Sequence, residues 1–157
     1  MSAPEITIRW ASASEDVDGA LRVREQVFCR EQGVPLAEEH DGLDRDALHL
    51  VALAPSERRV IGTLRLLLVP DVAKVGRVAV EAEWRRRGVA LRMLNMALDR
   101  AREGGCVRAR LAAQLEAIEL YRRAGFAVES GTFQEAGIAH VWMGRSLAPV
   151  PAERADA

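Results

Sequence analysis

Arg85-Arg86-Arg87-Gly88-Val89-Ala90 decides how this chain is read, because it stands where a strand ends and an amphipathic helix begins. Upstream, Val75 to Val80 is a short β-branched run. Downstream, apolar side chains fall at Ala90, Met93, Leu94, Ala97, Leu98 and Ala101, the spacing of one helical face. The junction is therefore strand, turn, helix. The first turn of a helix has unpaired N–H groups and a partial positive charge, so its main chain binds phosphate oxygens where no bulky side chain intervenes. Gly88 and Ala90 clear that approach, and the three arginines add cationic donors suited to phosphate.

Working outward, 157 residues of which 49% are hydrophobic suit one globular domain, expected over residues 1–147, with no room for a second. Residues 148–157 are polar and proline-punctuated, a disordered tail by composition. The formal charge is −1, and Lys74 is the only lysine among the 22 basic residues. With acids at Glu31, Glu38, Glu39, Asp41, Asp44 and Asp46 as well, no broad basic face is expected and nucleic acid is excluded as a partner. Cys29 and Cys106 lack the spacing of a zinc site, so no metal is expected and the thiols read as reduced and inert. Neither a signal peptide nor a membrane span is evident, which implies a cytoplasmic protein.

Hydrophobic periodicity and turn residues predict a strand at Glu5 to Trp10, then a helix capped by Ser12 with Glu15 and running to about Glu31. An acidic connection follows from Gly33 to Leu48. Strands are predicted at His49 to Ala54, Val60 to Val69 and Ala73 to Val80, and a helix over 89–103. A strand at Val107 to Leu111 leads to a helix carrying Tyr121, with strands at Ala127 to Ser130 and Ala139 to Leu147. This order implies an α+β (mixed α/β) domain with a central, mostly antiparallel sheet flanked by helices.

Arg85-x-x-Gly88-x-Ala90, just after Val78-Ala79-Val80, resembles the Q/R-x-x-G-x-G/A signature of the GNAT superfamily of N-acetyltransferases. Ala113-Gln114 through Tyr121 to Gly125-Phe126 resembles the family segment in which a tyrosine-bearing helix ends in a Gly-Phe step. Val23 to Pro35, with Asp41, Asp44 and His49-Leu50-Val51-Ala52, and Phe133-x-Glu135-x-Gly137-Ile138-x-His140-x-x-Met143 are similar to the ElaA/YjcF-type branch. The match spans Ile6 to Leu147.

The resemblance implies a single GNAT-type domain whose parallel strands 75–80 and 107–111 splay apart around the pantetheine of acetyl-CoA. Val78, Ala79 and Val80 would hold that arm. Arg85, Arg86, Arg87, Gly88, Val89 and Ala90 would hold the pyrophosphate. Gln114 stands where many relatives have an asparagine that touches the cofactor. Transfer to a primary amine of a small-molecule acceptor would be direct, with Tyr121 protonating the leaving thiolate and the Val80 N–H polarising the carbonyl. Glu31, Glu135 and His140 are the candidate bases. The acids between Glu31 and Asp46 would favour a cationic amine if they face the site. A non-catalytic acyl-CoA-binding module is the competing reading, and a homodimer is left open.

Overall fold

Helix α3, Val89–Glu103, buries Val89, Met93, Leu94, Ala97, Leu98 and Ala101 against one face of the sheet. The stripe matches the expected one except that Val89, not Ala90, opens it. The computed structural model describes residues 5–56 and 59–147; the tail expected at 148–157 lies outside them. The strands are β1 (Thr7–Trp10), β2 (Leu48–Leu53), β3 (Val60–Val69), β4 (Val72–Val80), β5 (Arg108–Gln114), β6 (Ala127–Val128), β7 (Phe133–Glu135) and β8 (Ile138–Ser146). They form one eight-stranded sheet in the order β1-β2-β3-β4-β5-β8-β6, with β7 also paired to β8. Every pairing is antiparallel except β4 with β5.

The opposite face of β2, β3 and β4 is covered by α1, Ser14–Arg24, which continues as a wider π-helical stretch over Glu25–Glu31. Ala20, Val23 and Val27 pack there on Val51, Leu53, Val60 and Ala79. The helix ends where the sequence places it, but its start differs from the expected Ser12 and Glu15 capping box. Instead, the buried Asp16 carboxylate accepts from the Ser12 N–H at 3.0 Å and from Arg9 at 2.7 and 3.0 Å, so the N-cap moves one residue on, to Ala13. Asp16 wins because its oxygens reach both the chain entering the helix and a strand guanidinium.

Two elements escape a reading by pattern. The short α2, Leu36–Glu39, lies inside the acidic connection, and β7 forms a tight hairpin with β8 through Ala136, whose φ is +53°, and Gly137. Alanine is a weak signal for such a turn, which usually carries Asn or Asp before Gly. Strand β5 runs on to Gln114 because it stays in register with β8 as far as Gln114 opposite His140. Strand β6 ends early, and Ser130 instead accepts the Trp142 N–H on its hydroxyl at 2.9 Å.

The acidic connection is tied down by charge. Arg24, fully buried on α1, donates to Glu39 at 2.9 Å and to Asp44 at 2.8 Å. Arg65 on β3 donates twice to Asp41 at 2.8 Å and once to Asp44 at 3.1 Å, and Arg77 on β4 reaches Glu39 at 2.9 Å and Asp41 at 3.1 Å. Three acids and three arginines from three elements therefore neutralise one another. The field expected of an acidic loop is largely cancelled, because charge of either sign at contact distance leaves little to project.

Burial pushes the Asp41 carboxyl up, but the hydrogen bonds from Arg65 and the Leu43 N–H, with the charges of Arg65 and Arg77, outweigh it and bring its pKa down to about 2. A carboxyl depressed in the folded state adds stability above its unfolded pKa, and loses that stability as pH falls through the folded value. The urea midpoint should therefore drop between about pH 4 and pH 2. Asp41→Asn, followed in the same titration, should show a visibly flatter profile.

Candidate functional site

The site is built where β4 and β5 separate. They pair only at Val72 with Arg108, Ala73 with Ala109 and Lys74 with Arg110. Beyond those pairs each strand runs on with that edge free, to Val80 and to Gln114. On its other edge β4 changes register against β3 between Thr63 and Arg65, and Arg77 sits in this irregular stretch with a φ of +50°. An arginine in the left-handed region is strained. Its side chain is held there by Glu39 and Asp41.

Past the bulge, the Glu81 N–H donates to Ile61, so Val80 and Gly62 form a non-hydrogen-bonded pair. The N–H and C=O of Val80 consequently turn away from β3 and into the gap. A 3₁₀ turn, Ala82–Trp84, carries the chain to the start of α3, where Gly88 is the N-cap with a φ of +80°. A Cβ at Gly88 would meet nothing within 4 Å, so the amides of the first turn are open to a ligand. This arrangement suits an oxyanion such as pyrophosphate.

The three arginines divide their work. Arg85 gives its Nε–H to the Val80 carbonyl at 2.7 Å and an Nη to Glu31 at 2.8 Å, so its guanidinium braces the strand end. The Arg87 guanidinium lies over the Trp84 ring, 4.8 Å from its centroid, a cation–π contact that leaves its edge available. Arg86, exposed and with a φ of +63°, has no side-chain partner among the described residues.

The end of the π-helical stretch closes over the gap. Glu31 is held by Arg85, and Gln32 and Gln114 exchange amide hydrogen bonds at 2.9 and 3.3 Å across the mouth between the elements. Gln114 therefore lies at the site, though its amide is engaged by Gln32. Gln32 was not legible beforehand. Its partner is 82 positions away, and no local pattern marks the pair.

Tyr121 sits on α4, Ile118–Arg123, one turn before Gly125, and packs in the core cluster that includes Val80, Val89 and Ala113. Its ring meets Phe126 edge-on at 6.3 Å. Burial pushes its pKa up to about 12, and its hydroxyl has no hydrogen-bond partner among the described residues. His140 lies on β8 beside Gln114 and is 94% buried, its relative exposure being 6%. Its Nδ1 donates to the Ile138 carbonyl at 2.7 Å, which leaves Nε2 as the acceptor nitrogen. Glu135 is exposed on β7. Burial also raises both cysteine thiols, first of all by desolvation, so neither is an activated nucleophile. Among the described residues no cluster of three metal-ligating side chains occurs, and no helix is long and apolar enough to cross a membrane.

A splayed parallel pair, a helix start open to phosphate and a buried tyrosine at the same gap define an acetyltransferase-type architecture. The acetyltransferase (GNAT) family model matches residues 15–126, and the chain belongs to that family. It is 32% identical over 134 residues to the N-acetyltransferase YjcF of Bacillus subtilis (strain 168), itself uncharacterized, covering 85% of this chain and 94% of YjcF. An acyl-CoA N-acyltransferase structure from Pseudomonas aeruginosa superposes with a TM-score of 0.76 at 27% identity, covering 90% of this chain and 99% of that one. Escherichia coli ElaA shares the fold with a TM-score of 0.76 at 23% identity, covering 88% and 99%. The likeness to YjcF sets the chain beside that protein within the family, and the ElaA likeness shows the shared fold.

Because space is open at Gly88, Gly88→Ala should cost only backbone strain, about 1 kcal/mol, read as a lowered urea midpoint with an unchanged slope.

Proposed function

We propose that the chain transfers the acetyl group of acetyl-CoA to a primary amine of a small-molecule acceptor by direct attack. The observation that carries the reading is the partnerless Tyr121 hydroxyl in the same core cluster as Val80 and Val89, the strand end and helix start that flank the gap. A module that only bound acyl-CoA would not need a phenol whose ring is buried while its unpartnered oxygen stays accessible at this gap.

The open edge of β4 at Val78 and Val80 offers main-chain groups to the pantetheine amides as an added strand would. The α3 amides from Val89 and Ala90, with Arg86 and Arg87 beside them, suit the pyrophosphate. Arg85 acts at one remove, fixing Val80 through its carbonyl while the Val80 N–H points into the gap. That N–H is placed to stabilise negative charge on the thioester oxygen during attack.

The amine nitrogen forms its bond to the carbonyl carbon, and the carbon–sulfur bond breaks with its electron pair going to sulfur. Tyr121 Oη supplies the proton that the sulfur takes up. His140 Nε2, left as an acceptor by the Nδ1 bond to Ile138, is the base we assign to the proton leaving the amine, directly or through water. Glu31 is occupied by Arg85 and Glu135 lies in solvent, so neither competes well for that role. The phenol at about pKa 12 keeps its proton throughout the neutral range, as a donor must.

Tyr121→Phe should lower kcat by about a hundredfold while acetyl-CoA affinity by calorimetry stays nearly constant. An unaltered kcat, with chemistry rate-limiting, would remove Tyr121 from the mechanism. Gly88→Glu, which sets a carboxylate among the first-turn amides, should abolish acetyl-CoA binding in a folded protein. Undiminished affinity would place the pyrophosphate elsewhere.

A further inference from the structure

Strands β5 and β8 turn Ala109, Leu111, Ala113, Val141 and Met143 toward the core under α3 and α4. Their alternate residues face the other way, where α1 covers β2 to β4 but does not extend across β5 and β8. This helix-free face begins at Gln114 and the largely buried His140, beside the gap, and runs along β5 to Arg110. It carries a row of stacked groups. His140 and Phe133 stack at 5.9 Å, Phe133 and Trp142 at 5.3 Å, and the Arg110 guanidinium carbon lies 4.4 Å from the Trp142 ring centroid.

Lys74 is the register partner of Arg110 in the paired part of β4 and β5. Ala73 and Val75 point into the core, so Lys74 faces the same open side as Arg110. Both are exposed, and neither has an acid partner among the described residues. That contrasts with Arg24, Arg65, Arg77 and Arg85 nearby, each of which is matched to a carboxylate. Two neighbouring cations repel each other and together attract an oxyanion, while stacking on Trp142 holds the Arg110 plane and leaves its N–H edge outward. Gly76, next on the open side of β4, has empty space where a Cβ would be.

Resting on the transfer reaction proposed above, we propose that this face seats the acceptor and selects an amine that also bears a carboxylate, bound by Lys74 and Arg110, with its apolar body along the ring edges of Phe133 and Trp142. From Gln114 to Arg110 is about 13 Å of strand, shortened by the reach of the Arg110 side chain toward Trp142, which leaves room for a ring between amine and acid. The charge preference is opposite to that expected from the acidic connection, whose Glu39, Asp41 and Asp44 carboxylates are spent on arginines.

The test pairs binding with turnover. Calorimetry without acetyl-CoA compares para-(hydroxymethyl)benzoate with para-(hydroxymethyl)benzamide, and release of free CoA compares para-(aminomethyl)benzoate with the corresponding benzamide. The wild type should bind the benzoate about tenfold more tightly than the benzamide and show a similar ratio in kcat/KM for the amines. Arg110→Gln and Lys74→Gln should each reduce both ratios while leaving the KM for acetyl-CoA unchanged. Equal affinity for the two inert probes in the wild type, or a carboxylate preference untouched by both variants, would overturn the proposal. A carboxylate preference that survives in binding while neither amine is acetylated would instead reject the transfer reaction and retain the anion seat.

Discussion

The separation of β4 from β5 after three register pairs is the constraint on which the rest of this structure depends. A sheet gains by pairing every strand edge, so an unpaired gap in its middle has to be held open. Here the cause lies on β4, where the register change against β3 and the left-handed backbone at Arg77 re-aim the strand. Glu39 and Asp41 hold the Arg77 side chain and so resist its return to a regular strand. The acidic connection thereby becomes part of the reason the gap exists.

Arginine supplies most of the ties. Arg24, Arg65 and Arg77 lock the connection to α1, β3 and β4, and Arg85 links the end of β4 to Glu31 above the gap. A planar guanidinium can satisfy two acceptors at once, and this protein uses that geometry to join elements that share little apolar contact. The buried Arg24 and Glu39 need each other, because either one left alone in the core would be an uncompensated charge. Where the same residue type is left without acids, at Arg110 beside Lys74 and at Arg86, the positive charge remains available to a ligand.

The gap also joins two chemically different faces. Tyr121 and the start of α3 belong to the side packed by α3 and α4, whereas His140, Trp142 and Phe133 lie on the side that no helix closes. The alternation of side chains along β8 puts Val141 and Met143 in the core and His140 and Trp142 outside it. Tyr121 and His140 thus lie on opposite sides of a single sheet.

Local chemistry was enough to locate α3 at 89–103, the tyrosine helix with its Gly125 stop, and strands β3 and β4 within a residue or so. These features depend on periodicity and backbone sterics among near neighbours, which the sequence by itself determines. The family motifs also lie within such contiguous stretches, so the fold and the helix start at Gly88 were legible. The partners were not. Glu31, a partner of Arg85, stands 54 positions away, and Gln114 meets Gln32 only through the closing of the sheet. The acids of 38–46 read as a projected field until Arg24, Arg65 and Arg77 arrived from α1, β3 and β4 to pair with Glu39, Asp41 and Asp44. Only the tertiary structure decided these, because a side chain's charge and donors are set by sequence, whereas what satisfies them depends on which distant elements the fold brings within hydrogen-bond range.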